Sequence, residues 1–373
     1  MKKSLAVAAV VALAGVLTAT AAGCSTKSRN LASLSSNWYY DSSYKRIQPT
    51  FTEANAEKMT YKVTQSEQSK NAYYKLAYTD GAYVTEFYAK KVTATELANI
   101  TLEKWRDNYT AALGSDGSMF LYYYKTELSI PSVTYTCGKE SQTFTDQTVK
   151  SESYFLSVEN RLSPVYSYRA VHMTIPKGLQ AGSLKSACYT EDMVYESFYS
   201  LSGSSVKTYI TDNLGENNKV SEYAISGLNR YDNSVFDYTY LDITARAMRN
   251  ITSFNQTISL YTPGVKVRDY TVSSGKTALP EDELTAVQGV LAGKGLFTPK
   301  SIENSEEKTK LKTTSVSVSY NGGSYSGVSQ TYWFAIGDGN NETRTVMVKY
   351  REPLTYSQGC LDYVLQSIEN FPA

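Results

Sequence analysis

The stretch Tyr73-Tyr74-Lys75-Leu76-Ala77-Tyr78-Thr79-Asp80-Gly81-Ala82-Tyr83-Val84-Thr85-Glu86-Phe87-Tyr88-Ala89-Lys90 decides the fold class. Two runs in which apolar or aromatic residues alternate with polar ones flank Asp80-Gly81, a dipeptide favoured in tight reversals. That is the pattern of an antiparallel hairpin. The same pattern recurs along the chain. Residues 119–127 follow Asp116-Gly117, and residues 168–175 alternate as a strand. Near the C-terminus, residues 313–320, 328–336 and 342–350 are separated by Asn321-Gly322 and by the turn around Asp338-Gly339, which predicts a three-stranded meander.

Composition agrees. The chain has 33 Tyr against 11 Phe and 3 Trp, with abundant Ser and Thr. Tyrosine and threonine suit half-buried β-surfaces, where one side packs and the hydroxyl reaches water or a neighbour. Such a surface is either ordinary sheet packing or an aromatic platform for sugars, peptides or cell-wall glycans. The expected class is therefore α+β, mainly antiparallel β. Helices are few. Leu361, Val364, Leu365 and Ile368 repeat at helical spacing behind a Thr355-x-x-Gln358 capping box. Residues 280–292 open with Pro280, carry Glu281, Asp282 and Glu283 in the first turn, and stop at Gly293. Residues 93–108 and 186–199 are weaker helical segments.

At 373 residues the chain is long enough for two ordinary domains. Residues 61–80 set against 223–242 match Tyr61 with Tyr223, Asn71 with Asn233, Tyr78 with Tyr240 and Asp80 with Asp242. Asn99-Ile100-Thr101 recurs as Asn250-Ile251-Thr252, and Tyr154-Phe155-Leu156 has a counterpart in Tyr332-Trp333-Phe334. These matches predict two duplicated sheet domains, residues 37–202 and 203–373, each closed by a terminal amphipathic helix, with the boundary in Leu201-Ser202-Gly203-Ser204-Ser205. A sheet followed by a final helix resembles in layout the PsbP-like and LolA-like folds of exported proteins, a likeness that carries no site residues across.

The N-terminus has its own logic. Lys2 and Lys3 supply a short positive region, and residues 5–17 form an apolar run of a signal peptide's length, too short to span a membrane comfortably. Ala19-Thr20-Ala21-Ala22-Gly23 then leads into Cys24. This resembles the lipobox of bacterial lipoprotein precursors, with Ala21 where that family usually has leucine or another larger apolar residue. The resemblance implies removal of residues 1–23, a diacylglyceryl group on the Cys24 thiol, and an extracytoplasmic protein anchored to the cell membrane or outer membrane. Residues 24–36 are polar and rich in small side chains, the composition of a tether.

Charge is balanced at a formal +1, from 37 basic and 36 acidic residues, so no global field attracts nucleic acid or anionic lipid. Besides Cys24 there are Cys137, Cys188 and Cys360, an odd number. One disulfide, most easily Cys137 with Cys188, and three free thiols are both compatible with that inventory.

Motifs for chemistry are absent or incomplete. The lone histidine, His172, sits in an alternating segment and has no nucleophile elbow to serve; Gly323-Ser324-Tyr325-Ser326-Gly327 carries tyrosine where the serine should be. Ser274-Gly275-Lys276-Thr277 imitates the end of a phosphate loop, but Tyr270 stands where its first glycine belongs. Ser273 with Lys276 and Ser305 with Lys308 have serine-lysine spacing and no separate Lys-Thr-Gly downstream. Metal ligands are neither clustered nor spaced for zinc, and Asp338-Gly339-Asn340-Asn341-Glu342 has the wrong spacing for a helical calcium loop. Glu191 with Asp192 and Glu281 with Asp282 are available as carboxylate pairs for action on glycosides, but adjacent acids at a helix start complement its dipole, so no role is assigned to them. The expectation is therefore no catalytic, cofactor or metal site, and Cys24 as the one residue with an assigned role. Function then divides between a non-enzymatic envelope binding module and an envelope hydrolase with a carboxylate site. In the first, Trp38, Tyr39 and Tyr40, or Tyr122, Tyr123 and Tyr124, contact an envelope protein, peptide or glycan.

Overall fold

The structure, a computed structural model, describes residues 52–66, 74–158, 161–176, 188–213, 219–224, 236–248, 256–263, 266–275, 278–302, 309–320, 329–336, 346–354 and 358–371. Cys24, the expected tether of residues 24–36, and Trp38, Tyr39 and Tyr40 lie outside these residues, as do Gly323 to Gly327, Asp338 to Glu342, and Ser305 with Lys308. In the first half of the chain come β1 (Glu57–Ser66), β2 (Tyr74–Tyr78), β3 (Gly81–Thr93), β4 (Ser118–Cys137), β5 (Glu140–Val158), β6 (Arg161–Pro176), β7 (Cys188–Tyr199), β8 (Ser205–Asp212) and β9 (Lys219–Ala224). The second half contributes β10 (Phe236–Asp237), β11 (Gln256–Thr262), β12 (Lys266–Gly275), β13 (Lys312–Tyr320), β14 (Ser329–Ile336), β15 (Met347–Pro353) and β16 (Cys360–Asn370).

All sixteen belong to one sheet, ordered β10-β11-β12-β13-β14-β15-β16-β1-β3-β4-β5-β6-β7-β8-β9 with β2 beside β4. Every ladder is antiparallel except the two-residue pairing of β10 with β11. The fold class is thus mainly antiparallel β with a few helices, as expected, and the C-terminal meander is present as β13, β14 and β15. Two meanders meet at a seam in the middle of the sheet, where β16 pairs with β1 from Lys58↔Asn370 to Ser66↔Cys360.

The opening stretch folds differently from a hairpin. Residues on both sides of Asp80-Gly81 run in the same direction along β4 and in the same register, Tyr78 facing Val133 and Ala82 facing Ser129. Gly81 is required there by close approach: a Cβ at this position would stand 2.5 Å from the Ser129 carbonyl oxygen and 2.8 Å from Ile130 Cγ1. The other edge of β2 is closed by side chains. Gln65 Nε2 donates to the Leu76 carbonyl (2.8 Å), Gln65 Oε1 accepts from the Tyr78 amide (3.0 Å), and Gln358 Oε1 accepts from the Leu76 amide (2.7 Å). Two glutamines thus satisfy backbone groups that an edge strand would leave open.

A second correction concerns the expected terminal helix. Leu361 to Ile368 lie in β16, at the centre of the sheet, and Gln358 serves β2 rather than a capping box. Residues 188–199 likewise form a strand, β7. No terminal helix closes either half, so the layout shared with PsbP-like and LolA-like folds is not the observed one. The expected boundary falls in the turn between β7 and β8, strands that pair from Met193↔Asp212 to Tyr199↔Val206. One hydrophobic cluster draws on both sides of it, from Phe87, Phe155 and Met173 to Val316, Phe334 and Leu365. The segments that align as copies agree in structure only in part. Tyr61 and Tyr223 are both in strands, as are residues 154–156 and 332–334, whereas Tyr78 is in a strand and Tyr240 in a helical turn, so the matches do not establish a duplication.

Four helices accompany the sheet among the described residues. Two follow β3 within the segment expected to be helical: α1 (Ala94–Asn99), capped by Thr93 and Glu96, and α2 (Glu103–Ala111). Trp105 and Tyr109 of α2 pack with Val92, Leu121 and Val165. A third, α3 (Leu241–Met248), belongs to the crossover between the two meanders. The fourth, α4 (Glu281–Gly293), matches the expected helix behind Pro280 and buries Val287 and Leu291. Its Glu283 accepts from Lys349 Nζ at 2.6 Å, and Lys349 is almost fully buried on β15, 3.5 Å from Asp362.

The sheet is strongly curled. β8 and β11 lie twelve places apart in its order, about 58 Å in a flat sheet at ~4.8 Å per strand. Yet Thr208 and Tyr261 share a hydrogen bond, and the Tyr199 and Tyr261 rings meet at 6.0 Å. Twist accumulated over so many strands brings the two ends together. The crossover from Phe236 to Met248 runs through the enclosed space, and residues 239–246 are buried throughout.

Candidate functional site

A polar segment threaded through a closed sheet must have its groups satisfied from the walls, because a buried polar atom without a partner costs about 1–3 kcal/mol. Asp237 accepts from Ser167 (2.7 Å), from its own Thr239 amide (2.8 Å) and from the Tyr199 hydroxyl. Thr239 meets Ser153 at 2.5 Å. Asp242 accepts from the Tyr124 hydroxyl and from the Ile243 amide (2.8 Å). Arg246 donates to both oxygens of Glu57, a buried forked ion pair that pins α3 to β1 (2.8 and 3.1 Å).

Between this segment and the sheet a cavity of about 90 Å³ remains. Its walls follow from strand alternation, since residues two apart share a face. β6 contributes Arg169 and Met173, and β15 contributes Tyr350 and Glu352. The other sheet residues include Tyr83, Thr126, Ser151, Tyr332 and Tyr363, while Tyr238, Thr239, Leu241 and Asp242 close it from the crossover. Part of the wall is a continuous aromatic ladder. Tyr332 stacks on Tyr350 (4.7 Å, 6° between planes), Tyr350 on Tyr363 (4.6 Å), and Tyr363 meets Tyr83 edge-on (5.3 Å).

Its charges are few and unusual. Arg169 is 5% exposed, and among the described residues its guanidinium makes no hydrogen bond or ion pair. Glu352 is pushed above the ordinary carboxylate range by burial, against the pull of the Tyr363 hydroxyl, which donates to it at 2.9 Å, and of the Arg169 charge. Asp242 is pushed up to about 6, chiefly by burial, against the hydrogen bond from Tyr124. The Tyr238 hydroxyl accepts from Gln330 Nε2 at 2.6 Å. The cavity therefore offers one cation with unused donors, two carboxyls raised above their ordinary range by burial, and several phenolic hydroxyls on an aromatic wall. Among the described residues no three His, Cys, Asp or Glu gather in a way that holds a metal ion.

The residues singled out from sequence do not converge here. Tyr122 and Tyr124 are buried on the inner face, and Tyr123 is on the opposite face in contact with Tyr88 and Tyr154. All three are packing residues, Tyr124 being tied to Asp242. His172 pairs with Asp192 at 3.1 Å on a half-exposed part of β6. Glu191 is buried against the Tyr195 hydroxyl, and Glu281 pairs with Lys310 at the surface. Neither acid pair takes part in the cavity, and Glu191 with Asp192 is in a strand rather than at a helix start. Ser273 is in β12. Cys137 carries a free thiol. Arg169 is the residue sequence reasoning passed over, although a signal exists. With Val171 and Met173 it occupies the apolar phase of β6, where an arginine is out of place.

No known protein family matches the chain, and no curated protein or solved structure matches it significantly.

Proposed function

We propose that this chain is a lipid-anchored protein of the bacterial cell envelope that binds a ligand rather than transforming one. The anchor reading rests on Cys24 at the end of a lipobox-like segment, behind the apolar run of residues 5–17. Two acyl chains hold a protein stably at a membrane, since each buried methylene adds about 0.8 kcal/mol. Among the described residues no helix is long and apolar enough to cross a membrane. The observation that carries the binding reading is the Arg169 guanidinium, buried on the wall of the cavity and without a hydrogen bond or ion pair among the described residues. A buried charge held without a direct partner is costly, and a complementary ligand would offset part of that cost.

The anchor is tested by mass spectrometry of the mature N-terminus and by fractionation. Cys24→Ala is expected to move the protein from the membrane to the soluble fraction; a variant that stays with the membrane overturns the lipid reading.

Asp242 and Glu352 on the same wall favour one second reading, an envelope hydrolase that uses one carboxyl as acid and the other as base. A broad hydrolase screen separates the two. Turnover that disappears with Asp242→Asn or Glu352→Gln, in a protein that remains folded, would replace the binding reading.

A further inference from the structure

We propose that the cavity bounded by β6, β14, β15 and β16 holds the carboxylate of a small monoanionic acid, with the Arg169 guanidinium as its counter-ion. The proposal deepens the binding reading above by naming its ligand class.

Four observations converge on it. Arg169 is 95% buried, lines the cavity and uses none of its five donors on the protein among the described residues. A planar guanidinium matches a carboxylate in a forked, two-bond arrangement. Second, the cavity, about 90 Å³ and partly open, has room for a short carboxylic acid beside Arg169. Third, a single arginine supplies one positive charge, and burial favours the neutral forms of Asp242 and Glu352, so a monoanion is matched whereas a dianion such as sulfate keeps one charge uncompensated. Fourth, the Tyr332, Tyr350 and Tyr363 ladder gives the short apolar end of such an acid an aromatic surface to lie on.

The alternative occupant is water alone, with Arg169 solvated in place. The two make opposite demands on Arg169. If it serves a ligand, replacing it with an apolar side chain of similar length relieves a burial penalty and removes binding. If it holds the fold together through water, the same change destabilises the protein.

The test is calorimetric titration of the full chain, solubilised in detergent, with sodium propanoate at fixed ionic strength. Propanamide serves as the neutral isostere and sulfate as the dianion. Saturable binding of propanoate is expected, at least tenfold weaker for propanamide and for sulfate. Arg169→Gln should weaken propanoate at least tenfold. Arg169→Met should do the same while leaving the melting temperature unchanged or higher. Glu352→Gln keeps the shape of the side chain and removes any negative charge beside Arg169, so propanoate binding should be equal or tighter, a result that misfolding cannot imitate. Equal affinity of wild type and Arg169→Gln overturns the proposal. So does absence of propanoate binding, or a sharp loss of melting temperature in Arg169→Met. If propanoate fails while a glycan or peptide array shows saturable binding to the same protein, only the ligand class falls; if both fail, the binding reading falls with it.

Discussion

Asp242 is held in the folded protein with its pKa raised to about 6, chiefly by burial. In the unfolded chain it returns to about 3.9, so the folded state binds this proton more tightly. Its contribution to stability is fully present below about pH 4 and is lost as pH rises through 6. The loss at neutral pH is on the order of 3 kcal/mol. Glu352 and Asp237, also raised by burial, act in the same direction. Denaturant melts between pH 4.5 and 8 should therefore show stability falling with pH, and Asp242→Asn should flatten much of that slope. An unchanged slope in the variant would mean that Asp242 is not responsible. None of this was legible in the sequence. The aspartates of the crossover are ordinary in composition, and their surroundings arise only when the sheet curls around them. The wider chemistry was equally hidden, because Tyr83, Arg169, Tyr238 and Glu352 come from four distant segments.

At the level of elements, misreadings and successes have identifiable causes. β16 has helical spacing at Leu361, Val364, Leu365 and Ile368, yet it is a strand because both its faces are covered. Tyr363 and Leu365 turn into the enclosed side, while Asp362 lies on the face where Lys349 meets α4. A strand buried on both faces loses the alternation that identifies it. α4 was legible because one of its faces stays wet and its first turn keeps Glu281, Asp282 and Glu283. Around Asp80-Gly81 the alternation was read correctly and the reversal was not. A glycine that supplies a turn and one that permits close passage look alike in sequence. Gly81→Ala tests this distinction. With a Cβ 2.5 Å from the Ser129 carbonyl, it should destabilise the protein by about 1–3 kcal/mol, measured by chemical denaturation. A neutral effect would mean that the β3 to β4 contact gives way easily.

Over the whole molecule, chain length suggests two domains, but the described strands form one sheet whose main hydrophobic cluster draws on both halves. Each half lacks something the other supplies. β1 to β9 alone would lose the crossover that fills their inner face and the β16 neighbour of β1. Calorimetry of the full protein should accordingly show one transition, with the van't Hoff enthalpy equal to the calorimetric one. Two resolved transitions would mean that the halves are separable. The seam has a mechanical corollary. Lys58 faces Asn370, so the first and last strands enter and leave side by side. Whatever precedes residue 52 therefore pulls on a strand flanked on both sides by long antiparallel partners. A load between that point and the far end of the molecule shears both ladders at once, many hydrogen bonds in parallel. A load between the two chain ends opens the seam one pair at a time, at much lower force. A pull from the N-terminal side alone thus meets the sheet in its stronger direction.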